Sequence, residues 1–206
     1  MEEINFHFDP ACPWAWLTSR WAARLAELGE LSVNWRFFSL GIVHLEAGSP
    51  TSEAADRFTG PSLRLLALAR RRGGNDAVGR LYSEIGRAVH GRGESLVDPL
   101  VIEAALERAG MDSSWRAEVE SDPSLWEEVV ADHEAAVASC QAFGVPTIIL
   151  DSGRGPGAFG PVLDRVPDDQ EAKELLRDVV RMLRRGYVFE LKRERDGHPP
   201  QLATTA

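Results

Sequence analysis

The stretch from residue 4 to residue 37 constrains this chain more than any other. Ile4, Phe6 and Phe8 alternate with Asn5, His7 and Asp9, the period of a β-strand with one more apolar face, and Asp9-Pro10 ends the run. From Pro13 onward, Leu17, Trp21, Leu25 and Leu28 recur at spacings of four, four and three, which places them on one face of a helix closed by Gly29. Pro13 suits the first turn, where its missing N–H costs nothing. Leu31, Val33, Trp35 and Phe37 then alternate again. Strand, helix, strand predicts a right-handed βαβ unit with parallel strands. Cys12 falls where the C-terminal edge of the first strand meets the N-terminus of the helix, the edge on which α/β folds place their sites.

The chain changes character at about residue 50 and again at about residue 144. Between them Pro61 opens a segment ending at Gly73-Gly74, Asn75 or Asp76 caps a helix, and Asp98-Pro99 and Asp122-Pro123 each start another. The last of these carries Leu125, Val129, Val130, Val137 and Cys140 as far as Gly144. After it, "VPTIIL" reads as a buried strand and "DSGRGPGAFGP" as a turn, so a hairpin and a helix over 171–185 complete a ββα unit. The expected architecture is α/β: residues 1–48 and 144–192 form a βαβ plus ββα domain, residues 49–143 an all-helical insertion, and residues 193–206 a poorly ordered tail.

Composition narrows the function. The 206 residues, 44% hydrophobic and 27% charged, suit one soluble globular domain with an insertion. A net charge of -9 and a pI near 5.1 repel nucleic acid and anionic membranes as general partners. Arg70-Arg71-Arg72 and Arg184-Arg185 are expected at helix C-termini, where cations suit the dipole. No apolar window approaches the roughly 18 residues that span a bilayer, and "MEEINFHFDP" carries no secretory pattern, so two reduced cysteines in a cytoplasmic protein are expected. Neither the histidines nor the cysteines show metal-ligand spacing, and no Gly-x-Gly-x-x-Gly follows a strand, which argues against a metal site and a dinucleotide fold.

Chemistry therefore concentrates on Cys12. A thiol at a helix N-terminus meets the positive end of the macrodipole and unpaired N–H groups, both of which favour thiolate. Pro13 stiffens the turn, and Trp14 offers a flat apolar surface beside the sulfur. Trp16, Trp21, Trp35 and Phe37 are expected in the core. Ala15 stands where a second cysteine would complete a Cys-x-x-Cys pair, so no intramolecular disulfide can release a partner from Cys12. Cys140, on an apolar helical stripe, is expected to be a buried core thiol. His44, in a loop after the second strand, and His90, in "GRAVHGRG", are candidates for contact with the thiolate or substrate, whereas His133 is expected to be structural.

Cys12-Pro13-Trp14, Val145-Pro146-Thr147 opening a later strand, the helical insertion between them and Phe159-Gly160-Pro161 beyond resemble the DsbA-like branch of the thioredoxin superfamily. "FDPACPWAWLTSRW", "VNWRFFSLGI", "FGPVLDRVP" and "FELKR" are similar more closely to the actinobacterial mycothiol-dependent nitroreductases. The resemblance implies a thioredoxin fold with a helical lid, a nucleophilic Cys12, and a cis peptide before Pro146 whose backbone pairs with a bound thiol or peptide, Val145 and Thr147 flanking the sulfur. It also implies no tightly bound cofactor, and mycothiol as co-substrate in the reduction of disulfides or nitro compounds. A mycoredoxin-type reductase and a second copy of the chain are further partners it admits. Ala15 departs from the family's usual cysteine and points either to a monothiol cycle or to a substitution introduced to trap the mixed disulfide. Two other readings remain open: a kappa-type glutathione transferase or isomerase, whose members usually carry serine at the position of Cys12, and a degenerate thiol- or peptide-binding protein.

Overall fold

The computed structural model describes residues 1–194 and 200–202. Strand β1 (Glu2–Phe8) lies parallel to β2 (Leu31–Phe37), with Ile4 opposite Val33 and Phe8 opposite Phe37. Helix α1 (Pro13–Glu27) makes the crossover between them. On the other side of β1, strands β3 (Thr147–Ile149) and β4 (Gly157–Phe159) add antiparallel, giving a four-stranded sheet in the order β2-β1-β3-β4. Everything from α2 (Leu40–Val43) through α3 (Ser62–Gly86), α4 (Pro99–Arg108), α5 (Trp115–Ser121) and α6 (Ser124–Cys140) is inserted between β2 and β3, with a 3₁₀ turn at Thr51–Ala54 and a π turn at Arg87–Gly91. A four-residue turn, α7 (Leu150–Gly153), links β3 to β4, and α8 (Asp169–Leu183) follows with a capping box from Asp168 and Glu171. It lies against α1, where Trp21 Nε1 donates to Ala172 O at 3.1 Å.

The insertion joins the sheet through aromatic side chains. Phe8 stacks on Tyr82 of α3 at 3.9 Å between centroids and meets Trp35 of β2 edge-on at 6.0 Å, so three elements share one cluster. Phe8 is fully buried, and truncating such a ring to alanine costs about 3 to 5 kcal/mol. The outer edge of β2 has no neighbouring strand among the described residues, and side chains replace one. Asn75 accepts from Trp35 N and donates to Val33 O, each at 2.8 Å, and Asp132 accepts from Phe37 N at 3.0 Å.

Several expectations need correction. Gly73-Gly74 does end a helical segment, as expected: Gly74, at φ 66° and ψ -161°, breaks α3 into two helices, but Asn75 is spent on the edge of β2 rather than on a cap of the second. Helix α6 stops at Cys140, short of Gly144, because Gln141 turns left-handed. Its last turn outruns the core, leaving Val137 exposed and Cys140 half-buried rather than internal. Arg70, Arg71 and Arg72 pair with Glu128 and Asp132, Asp122 and Glu128, and Glu118, so they tie α3 to α5 and α6 instead of serving a helix end alone. Arg184 bridges Glu2 and Asp151. The tail is attached where it is described: Gln201 N donates to Asp164 O at 2.7 Å and Leu202 packs on the core, while 195–199 and 203–206 lie outside the described residues.

Candidate active site

Cys12 is the N-cap of α1, in extended conformation (φ -88°, ψ 111°), and its sulfur accepts from Ala15 N at 3.5 Å. The first turn of α1 contains no acidic residue, so nothing on the helix offsets the positive end of the dipole there. The sulfur also lies 3.5 Å from Val145 O, a bond that a thiol can donate and a thiolate cannot. Cys12 keeps 8% of its surface and is in no disulfide.

The wall opposite the sulfur comes from the chain leading into β3. The Val145–Pro146 peptide is cis. Pro146 O accepts from Gly160 N at 2.8 Å, and Thr147 Oγ1 donates to Gly144 O at 2.8 Å, so both are occupied in holding the loop. The amide N–H of Val145 has no hydrogen-bond partner among the described residues. Thr18 Oγ1 donates to Pro161 O at 2.9 Å and pins the second cis peptide, Gly160–Pro161, against α1. Trp14 is half-buried at the rim, while Ala15 and Trp16 are wholly inside. Of the expected site residues, Cys12, Val145 and Ala15 therefore meet directly, Pro13 and Trp14 flank them in the same turn, and Pro146 and Thr147 continue the opposite wall.

The histidines divide. His90 is buried, its Nε2 is 2.9 Å from Pro10 O, two residues before Cys12, and its ring stacks on Trp16 at 6.0 Å. Burial lowers its pKa and keeps it neutral. His44 is exposed at the C-cap of α2, edge-on to Phe58 at 5.7 Å, and makes no contact with Cys12. His133 is internal, accepts from Ser39 N at 3.3 Å and has its pKa lowered by burial to about 4, in keeping with a structural role.

Sequence reasoning missed Asp9, which it read only as the end of a strand. This carboxyl is wholly buried, accepts from Ala11 N at 2.8 Å and Leu40 N at 2.7 Å, and has its pKa raised to about 6 by desolvation, which outweighs both hydrogen bonds. An Asp-Pro pair after a strand gives no signal of that burial. Arg20 was missed too: its guanidinium lies 4.0 Å over the Trp16 ring, bonded to Ser83 and Ser19, and burial lowers its pKa to about 10. Cys140 sits in the last turn of α6 beside Gly157, which pairs with Ile149. It forms no disulfide with Cys12: both cysteines are free thiols.

Solved structures of several differently named proteins share this fold. The probable DsbA oxidoreductase SCO1869 from Streptomyces coelicolor superposes with a TM-score of 0.59 at 21% identity, over 94% of each chain. The cytosolic disulfide reductase DsbM from Pseudomonas aeruginosa with GSH gives 0.57 at 18% identity, over 87% of this chain and 99% of that one. A 2-hydroxychromene-2-carboxylate isomerase gives 0.59 at 17%, over 92% of this chain and all of that one, so the fold alone does not choose a chemistry. The family does: the chain belongs to the Rv2466c-like family, described as mycothiol-dependent nitroreductase Rv2466c, which matches residues 11–193. It is also 37% identical over 194 residues to the uncharacterized protein Rv2286c of Mycobacterium tuberculosis (strain ATCC 25618 / H37Rv), covering 94% of this chain and 82% of that protein. The chain is accordingly a thiol-dependent oxidoreductase. Among the described residues no cluster of His, Cys, Asp and Glu would hold a metal, and no helix is long and apolar enough to cross a membrane.

Proposed function

We propose that this chain reduces disulfide or nitro-type substrates with mycothiol in the cytoplasm, through Cys12 alone. The observation that carries this reading is the pairing of Cys12, capped by Ala15 N–H at the end of α1, with a buried alanine methyl at the place of a resolving sulfur. The Cys12 thiolate attacks a bound disulfide, forming a mixed disulfide and expelling the other sulfur as thiolate, which takes up a proton. An outside thiolate then attacks the mixed disulfide, and Cys12 leaves as thiolate. For a nitro group, two thiols become one disulfide while nitro goes to nitroso and water, so electrons and protons balance without a second protein cysteine. The outside thiol is mycothiol, and a mycoredoxin-type protein serves the same step.

The free Val145 N–H and the Val145 carbonyl beside the sulfur offer a backbone donor and acceptor to an amide-bearing thiol, and Trp14 offers an apolar wall. The helical insertion, residues 49–143, acts as the lid over this edge. Intact mass after exposure of the reduced protein to mycothiol disulfide tests the reading. One adduct is expected, absent in Cys12→Ser and released by added thiol. No adduct on the wild-type protein overturns it. Conjugated or isomerised product with no change in thiol oxidation state would instead favour a transferase or isomerase.

A further inference from the structure

The peptide unit between Pro10 and Ala11, immediately before Cys12, is held at both ends. Its carbonyl accepts from His90 Nε2 at 2.9 Å, and its N–H donates to Asp9 Oδ1 at 2.8 Å. A carbonyl only accepts, so the neutral His90 ring carries its proton on Nε2. The second Asp9 oxygen accepts from Leu40 N at 2.7 Å, and the Asp9 backbone carbonyl accepts from Cys12 N at 3.0 Å. Two elements converge to make this possible. The π turn Arg87–Gly91 continues α3 toward the Cys12 loop, and Gly86 lets the Trp16 indole, on which His90 stacks, lie where any β-carbon would collide. Asp9 directly follows β1 and His90 belongs to the insertion, so the loop is gripped from both parts of the molecule.

We infer that Asp9 and His90 are positioning residues for Cys12. By fixing the Pro10–Ala11 plane they hold Cys12 in the extended N-cap conformation that brings its sulfur to Ala15 N–H, and with it the thiolate-stabilising end of α1. The inference rests on the reading of Cys12 as the nucleophile. The titratable groups facing this loop are Tyr82 of α3, Arg20 of α1 behind it and Cys12 itself; burial, not a charged partner, dominates at both Asp9 and His90.

The test is the rate of Cys12 alkylation by iodoacetamide against pH, read on the Cys12 peptide by mass, in the full chain and its variants. His90→Phe keeps a ring against Trp16 and removes the donor, whereas His90→Gln returns a donor. For His90→Phe the rate at pH 7 is expected to fall about tenfold and the apparent thiol pKa to rise about one unit, with His90→Gln recovering most of the loss. A wild-type profile in His90→Phe, or a Gln variant as slow as Phe, overturns the inference. If His90→Phe does not fold, Asp9→Asn reads the other side of the grip, since an amide cannot accept from both Ala11 N and Leu40 N; there too an unchanged profile overturns it. Should wild-type Cys12 react no faster than Cys140, the nucleophile assignment itself fails, which is a separate outcome.

Discussion

The two cysteines of this chain stand at opposite ends of helices, and the contrast explains why only one is suited to chemistry. Cys12 caps the N-terminus of α1, where the amide of Ala15 meets its sulfur and the macrodipole favours negative charge. Cys140 closes the last turn of α6, at the negative end of that helix's dipole, donates to Ala136 O at 3.5 Å, and has its pKa raised by desolvation. It is also the more exposed of the two. Exposure alone would thus point to Cys140; orientation on the backbone points to Cys12, the thiol proposed as the nucleophile.

The bluntest way to break this contrast is to exchange roles by mutation. Cys12→Ser is expected to abolish both turnover and the mixed disulfide, while Cys140→Ser, at a half-buried sulfur that donates within its own helix to Ala136 O, leaves turnover within about twofold of wild type. Loss of turnover in Cys140→Ser would make the second thiol a participant. In the unmodified chain, alkylation at pH 7 followed by mass mapping is expected to label Cys12 about a hundredfold faster than Cys140.

Ala15→Cys sharpens the contrast from the other side, by supplying a partner sulfur in the same turn as Cys12. A sulfur three residues after Cys12 resolves the mixed disulfide internally, so the mycothiol adduct no longer accumulates and the oxidised protein appears about two mass units lighter. Because Ala15 is wholly buried, the added sulfur is expected to cost about 1 to 3 kcal/mol in stability, measurable by urea unfolding of the reduced form. A persistent adduct would show that position 15 does not face the thiol as its backbone contact with the sulfur indicates.

Much of the reactive corner was legible in the sequence, because it is local. The alternation of Ile4, Phe6 and Phe8, the four-four-three spacing of α1 and Pro13 at its first turn fix where Cys12 sits without reference to anything distant. Val145 and Pro146 came from resemblance, not from periodicity, since the meeting of Val145 with Cys12 joins positions 133 residues apart. What stayed hidden depended on burial and on long-range partners. Asp9 reads as a strand terminator until Leu40 is seen to donate to it, and Cys140 reads as core until Gln141 ends α6 early. His44 and His90 looked alike as loop or helix-end histidines; only the π turn, invisible to a 3.6-residue period, separates the one buried against Pro10 from the one left exposed.

The effect of least consequence for the reaction tests what the reactive corner costs the fold. Asp9 is raised to about 6 from an ordinary value of 3.8, so the native state holds its proton over a range where the unfolded chain has lost it. Stability from this group is therefore present at about pH 4 and falls as the pH rises through 6, by about 3 kcal/mol in all. His7 and His133 act with the opposite sign. Burial lowers each to about 4 from 6.5, so the unfolded chain binds their protons first and stability grows as the pH rises across that interval. The wild-type curve sums these with the other groups whose pKa folding moves, His90 among them, and Asp9 opposes the histidines. Asp9→Asn removes only the opposing contribution, and the backbone donor it leaves unpaired adds an offset that does not vary with pH. Urea unfolding at intervals from pH 4 to 6 should then rise more steeply in Asp9→Asn than in wild type by about 1.4 kcal/mol per pH unit, one proton's worth. Parallel curves would mean that Asp9 is already ionised through this range, and that the loop before Cys12 holds a carboxylate at no cost to the fold.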